Sequence, residues 1–90
     1  MSNNRRSGRR APRPGGATAN ESLYERYKDA LRRGHVAALR GRNEVAVDAY
    51  GEAAGIAPDR ALPHTSIGGI LAKMNRLDEA AQAFGRALEL

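Results

Sequence analysis

Residues 34–53 read GHVAALRGRNEVAVDAYGEA, and residues 68–87 read GGILAKMNRLDEAAQAFGRA. Seven residues are identical between these segments at a spacing of 34 residues, and Tyr50 of the first is matched by Phe84 of the second. A fixed period of about 20–50 residues is typical of stacked repeat arrays, in which each unit buries its apolar face against its neighbours. Such arrays offer a surface for binding, so the repeat favours a binding protein over a self-contained enzyme.

Apolar residues recur at helical spacing throughout the repeat and just before it. Leu23, Tyr27, Leu31 and Ala38 follow at intervals of four and seven residues, which predicts a helix over residues 22–40. A stripe of small and aromatic residues predicts a second helix over 44–56, and the period adds helices over 60–74 and from 78 onward. No segment alternates with a period of two, so no strand is predicted. The predicted fold is an all-α, helix-turn-helix repeat solenoid of two hairpins, preceded by a disordered tail.

Glycine, asparagine, aspartate and proline mark the predicted helix ends. Gly41 is placed to end the first helix, and Asn43 is placed to cap the second. Pro58 disfavours helical geometry at the preceding residue and ends the second helix, while Asp59 is the predicted N-cap of the third. Asn75 is predicted to form the last turn.

Two glycines, Gly34 and Gly68, lie inside predicted helices. Glycine in a helix costs about 1 kcal/mol relative to alanine, which is understandable if another helix must come close at this position. Ala46 and Ala80, the small residues of the following helices, are the predicted contact partners.

Basic charge is concentrated at the N-terminus of the 90-residue chain. Residues 1–20 contain five arginines and no acid, so the net charge of +5 belongs to this segment, while residues 21–90 are balanced. Because the segment is rich in Arg, Gly, Pro and Ser and has little to bury, it is predicted to be disordered. Its guanidinium groups could bind phosphates, which leaves a nucleic-acid-associated protein as one alternative; a solubilising arm is the other interpretation.

Several functional classes are disfavoured by what the sequence lacks. There is no cysteine, which excludes disulfides and thiolate metal sites and fits a cytoplasmic location. The longest uncharged stretch, residues 61–72, is shorter than the roughly 20 residues of a membrane span. His35 and His64 are the only histidines, and neither has a carboxylate pair at ligand spacing. We therefore predict no catalytic residue, no metal and no cofactor.

Small, aromatic and apolar residues recur at matching positions in the two units. The second unit carries the clearest set, His64, Ile67, Gly68, Leu71, Ala80, Phe84 and Ala87. The first carries Gly34, Ala46, Tyr50, Ala53 and the closing Pro58. At these positions the chain resembles the tetratricopeptide repeat family, a helix-turn-helix unit of about 34 residues. The first unit departs from the family's larger apolar residues at Ala30, Arg33 and Ala37. The resemblance implies one domain over residues 21–90, with units over about 27–60 and 61–90.

The resemblance implies a non-catalytic scaffold or adaptor that binds a protein or peptide. In this family the first helix of each unit lines a concave groove, so the implied groove residues are Lys28, Leu31, Arg32, His35, Leu39, Thr65, Gly69, Ala72 and Lys73. The basic end of this surface suits a peptide with an acidic group. The alternative interpretation is an ordinary solvated helix face.

The chain ends at Leu90, inside the second helix of the second unit and before the closing proline and capping helix that the family usually has. This predicts the N-terminal part of a longer array, whose uncapped last helix could pair with another copy through Leu88 and Leu90. A docking arm of a larger enzyme, such as a transferase, is the second alternative function.

Overall fold

The computed structural model describes residues 19–90, with side chains from Ser22 onward. These residues form four helices and no strand: α1 (Ala19–Leu39), α2 (Asn43–Ile56), α3 (Leu62–Lys73) and α4 (Leu77–Leu88). The predicted all-α class is therefore confirmed for this part of the chain. The predicted tail covers residues 1–20, of which 1–18 lie outside the described residues. Ala19 and Asn20 belong instead to α1, since the helix extends one turn before its first apolar residue.

Two equivalent turns, 34 residues apart, follow α1 and α3. Gly41 (φ 73°) and Asn75 (φ 62°) both adopt the left-handed backbone conformation. After Gly41, the amide of Arg42 donates to the carbonyl of Ala37 at 2.9 Å, and a bond of the same length recurs in the second turn. This is a Schellman motif, which favours glycine or asparagine at the left-handed position. The geometry agrees with the turns predicted at both residues.

The two predicted N-caps are wrong. The backbone of Asn43 is already helical, because the Schellman turn delivers the chain directly into α2, and no side chain caps this helix. The Asn43 Oδ1 atom is buried without a hydrogen-bond partner among the described residues. Asp59 lies in a turn closed by the amide of Arg60 and the carbonyl of Ala57 at 3.1 Å, and α3 begins only after Ala61.

The helices pack in sequential order: α1 on α2, α2 on α3, and α3 on α4. Ala37 of α1, Ala46 and Tyr50 of α2 and Ile70 of α3 form the central buried cluster. A second cluster lies between α1 and α2, and a third between α3 and α4. Small alanines dominate all three clusters, so the few large side chains provide most of the apolar area that is buried.

The close approach at Gly34 differs from the predicted one. A Cβ atom placed on Gly34 would lie 2.6 Å from Cε1 of Tyr50, and its three nearest atoms would all belong to that ring rather than to Ala46. The same relation recurs between Gly68 and Phe84, again at 2.6 Å. An aromatic ring therefore covers both Gly34 and Gly68, because the aromatic residue lies one helical turn beyond the predicted alanine.

Tyr50 and Phe84 occupy equivalent positions but differ in burial. Tyr50 is 3% exposed, whereas Phe84 is 39% exposed. Helix α3 packs against α2 over Tyr50, and within residues 19–90 no helix packs in the same way on α4. Phe84, which the sequence places in the core, is consequently only partly covered.

Candidate functional site

The hydroxyl of Tyr50 is the point at which α1, α2 and α3 meet. It is hydrogen-bonded to Nδ1 of His35 on α1 at 2.7 Å, and the two rings are 5.5 Å apart in an edge-to-face arrangement at 74°. Burial raises the pKa of Tyr50, and the nearby hydroxyl of Ser66 on α3 offsets part of that effect. These contacts place the exposed faces of α1 and α3 on either side of one buried ring.

The α1 residues of the predicted groove are in mixed environments. Leu31 is half-buried and packs against two of the core clusters, whereas Leu39 is 88% exposed. Lys28 lies 3.5 Å from an oxygen of Glu25, and Arg32 is paired with Asp29. The basic end of the predicted groove is therefore partly neutralised by acids one turn earlier on the same helix. Such exposed pairs contribute little to stability and can be exchanged for a ligand carboxylate.

The α3 residues of the predicted groove are exposed. The Thr65 hydroxyl donates to the carbonyl of Ala61 at 3.3 Å, and Gly69 faces open space, since a Cβ there would meet nothing within 4 Å. Ala72 and Lys73 are also exposed. Lys73 forms no ion pair within the described part of the chain. The structure thus links His35 to Tyr50 of α2 but leaves Leu31 largely in the core.

A second concave surface, which the sequence analysis missed, lies between α1 and α2. It is a groove of about 340 Å³ with apolar walls and a charged rim, lined by Arg32, Arg33, Val36, Ala37, Arg40, Arg42, Val45, Asp48, Ala49 and Glu52. Arg33 closes one side by binding Asp29 on its own helix and Glu52 on α2, each at 2.9 Å. The sequence repeat could have indicated this groove, because Arg33, Val36 and Ala37 lie 34 positions before three core residues of α3.

Asp29 is expected to make the stability of the fold depend on pH. The hydrogen bond from Arg33 lowers the pKa of Asp29, and the charges of Arg33 and Arg32 add to this effect. A carboxylate whose pKa is lower in the folded state contributes stability above its unfolded pKa, near 3.9, and loses it as the pH falls through the folded pKa. Asp29→Asn should therefore lower the melting temperature at about pH 7 but not at about pH 2.

Thermal melts by circular dichroism at both pH values test this expectation. Asp59→Asn is the matched control, because Asp59 forms no ion pair within residues 22–90. An equal loss for Asp29→Asn at both pH values would contradict the ion-pair explanation.

The described residues show no metal site and no membrane span. No group of three or more His, Asp or Glu side chains among them is arranged to hold a metal ion. None of the four helices is both long and apolar enough to cross a membrane. Comparisons with protein-family models, with curated proteins and with solved structures found no match to this chain.

Proposed function

We propose that the chain is a non-catalytic scaffold that binds a protein or peptide on the joined outer faces of α1 and α3, within a solenoid of the tetratricopeptide type. The observation that carries this proposal is the contact of the Tyr50 hydroxyl with His35, beside Ser66. Because this contact holds the two helix faces in a fixed relation, a ligand loses little free energy in ordering the surface that it binds.

The α1–α3 surface, formed by His35, Leu39, Leu62, Thr65, Ser66, Gly69, Ala72 and Lys73, combines apolar and donor groups. Leu39 and Leu62 are 88% and 49% exposed, which provides apolar contact area. Gly69 allows a ligand backbone to come close to α3, and the ammonium group of Lys73 can bind a carboxylate. The fitting ligand is a peptide that carries apolar side chains and at least one acidic group.

Structural equivalence between the two hairpins supports the repeat assignment. Gly34 with Tyr50 and Gly68 with Phe84 form the same close contact, and the turns at residues 41 and 75 share one geometry. Both sets of features follow the 34-residue period of the sequence. An architecture of stacked hairpins that present successive first helices is the arrangement that such proteins use to bind extended or helical peptides.

Peptide selection followed by substitutions at Gly69 and Lys73 tests this function. Peptides selected from a displayed random library on the 90-residue chain should be apolar and acidic. Gly69→Leu should weaken their binding at least about tenfold by filling the surface, and Lys73→Glu should do so by reversing charge. Gly51→Leu is the matched control, since Gly51 also faces open space on an exposed helical position, but on α2.

The same selected peptides also test the role of the N-terminal segment. Deletion of residues 1–20 should leave their binding unchanged at about 0.15 M salt, where long-range attraction is screened. The proposal is wrong if no peptide is selected, or if the deletion abolishes binding while Gly69→Leu and Lys73→Glu have no effect.

A further inference from the structure

Helix α2 of the first hairpin (α1 and α2) docks on the second hairpin (α3 and α4). We call this contact the joint, and it shows how one hairpin of this protein packs on the next. Tyr50 packs with Ile70 of α3, and Val47 packs against the cluster formed between α3 and α4. At the edge of the joint, the carboxylate of Glu44 on α2 lies near Arg76. The hydrogen bonds that Arg76 donates to Glu79 are the main cause that raises the pKa of Arg76, and the charge of Glu44 adds to it. Apolar contacts and an opposite-charge pair therefore act together here.

The second hairpin carries an equivalent face on α4 that is largely exposed. Leu77, Ala81, Phe84 and Leu88 follow at intervals of four, three and four residues, which places them on one face of α4. We call these four residues the α4 stripe; Ala81 and Phe84 lie 34 positions after Val47 and Tyr50, the α2 residues that pack against the second hairpin. Leu77, Phe84 and Leu88 are 60%, 39% and 88% exposed. Within residues 19–90, α4 packs substantially against α3 alone, which the Phe84 ring meets at Gly68.

The first hairpin carries the complementary surface. The α1–α2 groove defined above contains Val36, Ala37 and Ala49. These residues lie 34 positions before Ile70, Leu71 and Ala83, which belong to the core clusters packed against α2. Val36 is 37% exposed and Val45, beside it in the groove, is 54% exposed. The second hairpin binds α2 through one of its surfaces. The groove is the equivalent surface of the first hairpin.

The charges of the α4 stripe and of the groove rim favour docking of these two surfaces on each other. The rim of the groove carries four arginines against two acids. On α4, Asp78 and Glu79 lie in the first turn beside Leu77. Asp78 occupies the repeat position of Glu44, and Arg42 occupies that of Arg76. Docked in the register of the internal joint, Asp78 of one copy faces Arg42 of the next, which reproduces the Glu44–Arg76 relation.

We propose that copies of this chain associate head to tail, with the α4 stripe of one copy seated in the α1–α2 groove of the next. The contact is heterologous, so each added copy leaves one free stripe and one free groove, and assemblies grow with concentration instead of closing as dimers. The α1–α3 surface lies outside the joint, so each copy of an assembly keeps it. This inference does not depend on the proposed function, although assembly would present several peptide-binding surfaces together.

A mixing experiment with two variants, each of which lacks one of the two docking surfaces, tests the head-to-tail arrangement. The stripe variant is Leu77→Lys/Leu88→Lys, and the groove variant is Val36→Glu/Val45→Glu. All four positions are more than a third exposed, and far-UV circular dichroism checks that both variants keep the parent helix content. Sedimentation velocity is measured from about 5 to about 500 µM, a range that covers weak protein interfaces. The parent should grow in mean mass with concentration, and each variant alone should remain monomeric.

An equal mixture of the two variants should form a heterodimer and nothing larger, because only one intact stripe and one intact groove remain. A monomeric parent over the whole range would overturn the proposal. So would a groove variant that still dimerises alone, which indicates symmetric pairing of two α4 helices, or a mixture that stays monomeric.

Charge reversal tests the register independently of the apolar substitutions. Asp78→Arg and Arg42→Asp should each weaken association about tenfold, and the double variant should recover most of that loss. Asp59→Arg, outside both surfaces, is the control for net charge. Additive losses in the double variant would show that these two residues do not meet, and the proposed register would be wrong.

Discussion

Replacing Tyr50 with alanine should unfold most of the protein at 25 °C. The ring covers Gly34, packs with Ala37 and Ile70, and carries the hydroxyl that binds His35. Removal of a buried aromatic side chain costs about 3–5 kcal/mol. A single core of fewer than about 70–80 residues rarely supplies more than 3–5 kcal/mol in total, so the loss should be comparable to the whole stability. Urea unfolding monitored by circular dichroism at 222 nm, a helix signal, measures the change.

Two further substitutions separate the contribution of the Tyr50 ring to stability from those of its burial and its hydroxyl group. Phe84→Ala removes the equivalent ring of the second hairpin, which is 39% exposed, and should cost no more than about half as much at concentrations where the chain is monomeric. Tyr50→Phe keeps the ring and loses only the hydroxyl, for a cost near 1 kcal/mol. If Tyr50→Ala and Phe84→Ala were equally destabilising, the difference in burial between the two hairpins would have no energetic meaning.

Helical periodicity and the repeat predicted the helices, and Gly41 and Asn75 predicted the turns after α1 and α3, because these features depend on local sequence. Gly41 and Asn75 can adopt a left-handed backbone, and each lies one period from the other. The N-caps were not predictable in this way. Whether Asn43 or Asp59 caps a helix depends on the path by which the chain enters it, and that path is set by the preceding turn and by packing between helices.

The candidate site was predictable only in part. The resemblance implied that His35 and Gly69 lie on the groove faces of α1 and α3, but the hydrogen bond between His35 and Tyr50 depends on how α1 is rotated against α2. The ion pairs of Lys28 and Arg32 follow from acids three residues earlier and were visible in the sequence. The α1–α2 groove was missed because its arginines resemble a solvated helix face, although Val36, Ala37 and Ala49 lie one period before core residues.

Alanine at Gly34 should destabilise the protein, although alanine is the better helix former. The new Cβ would lie 2.6–2.9 Å from three atoms of the Tyr50 ring, closer than van der Waals contact allows. That ring is 3% exposed and hydrogen-bonded to His35, so it has little room to move. Overpacking costs typically about 1–3 kcal/mol, which outweighs the gain of about 1 kcal/mol in helix propensity over most of that range.

The same substitution at two other helical glycines should have a different effect on the free energy of unfolding. The comparison therefore tests packing and not helix propensity. Gly51 has nothing within 4 Å of its Cβ position, so Gly51→Ala should stabilise the fold by about 0.5–1 kcal/mol. At Gly68 the overlapping ring is Phe84, which is partly exposed and can move outward, so Gly68→Ala should be close to neutral. Urea unfolding should therefore rank the variants Gly51→Ala, Gly68→Ala and Gly34→Ala in order of decreasing stability. Equal stabilisation by all three would mean that the Tyr50 ring is free to move, and the rigid contact on which the α1–α3 surface depends would have to be abandoned.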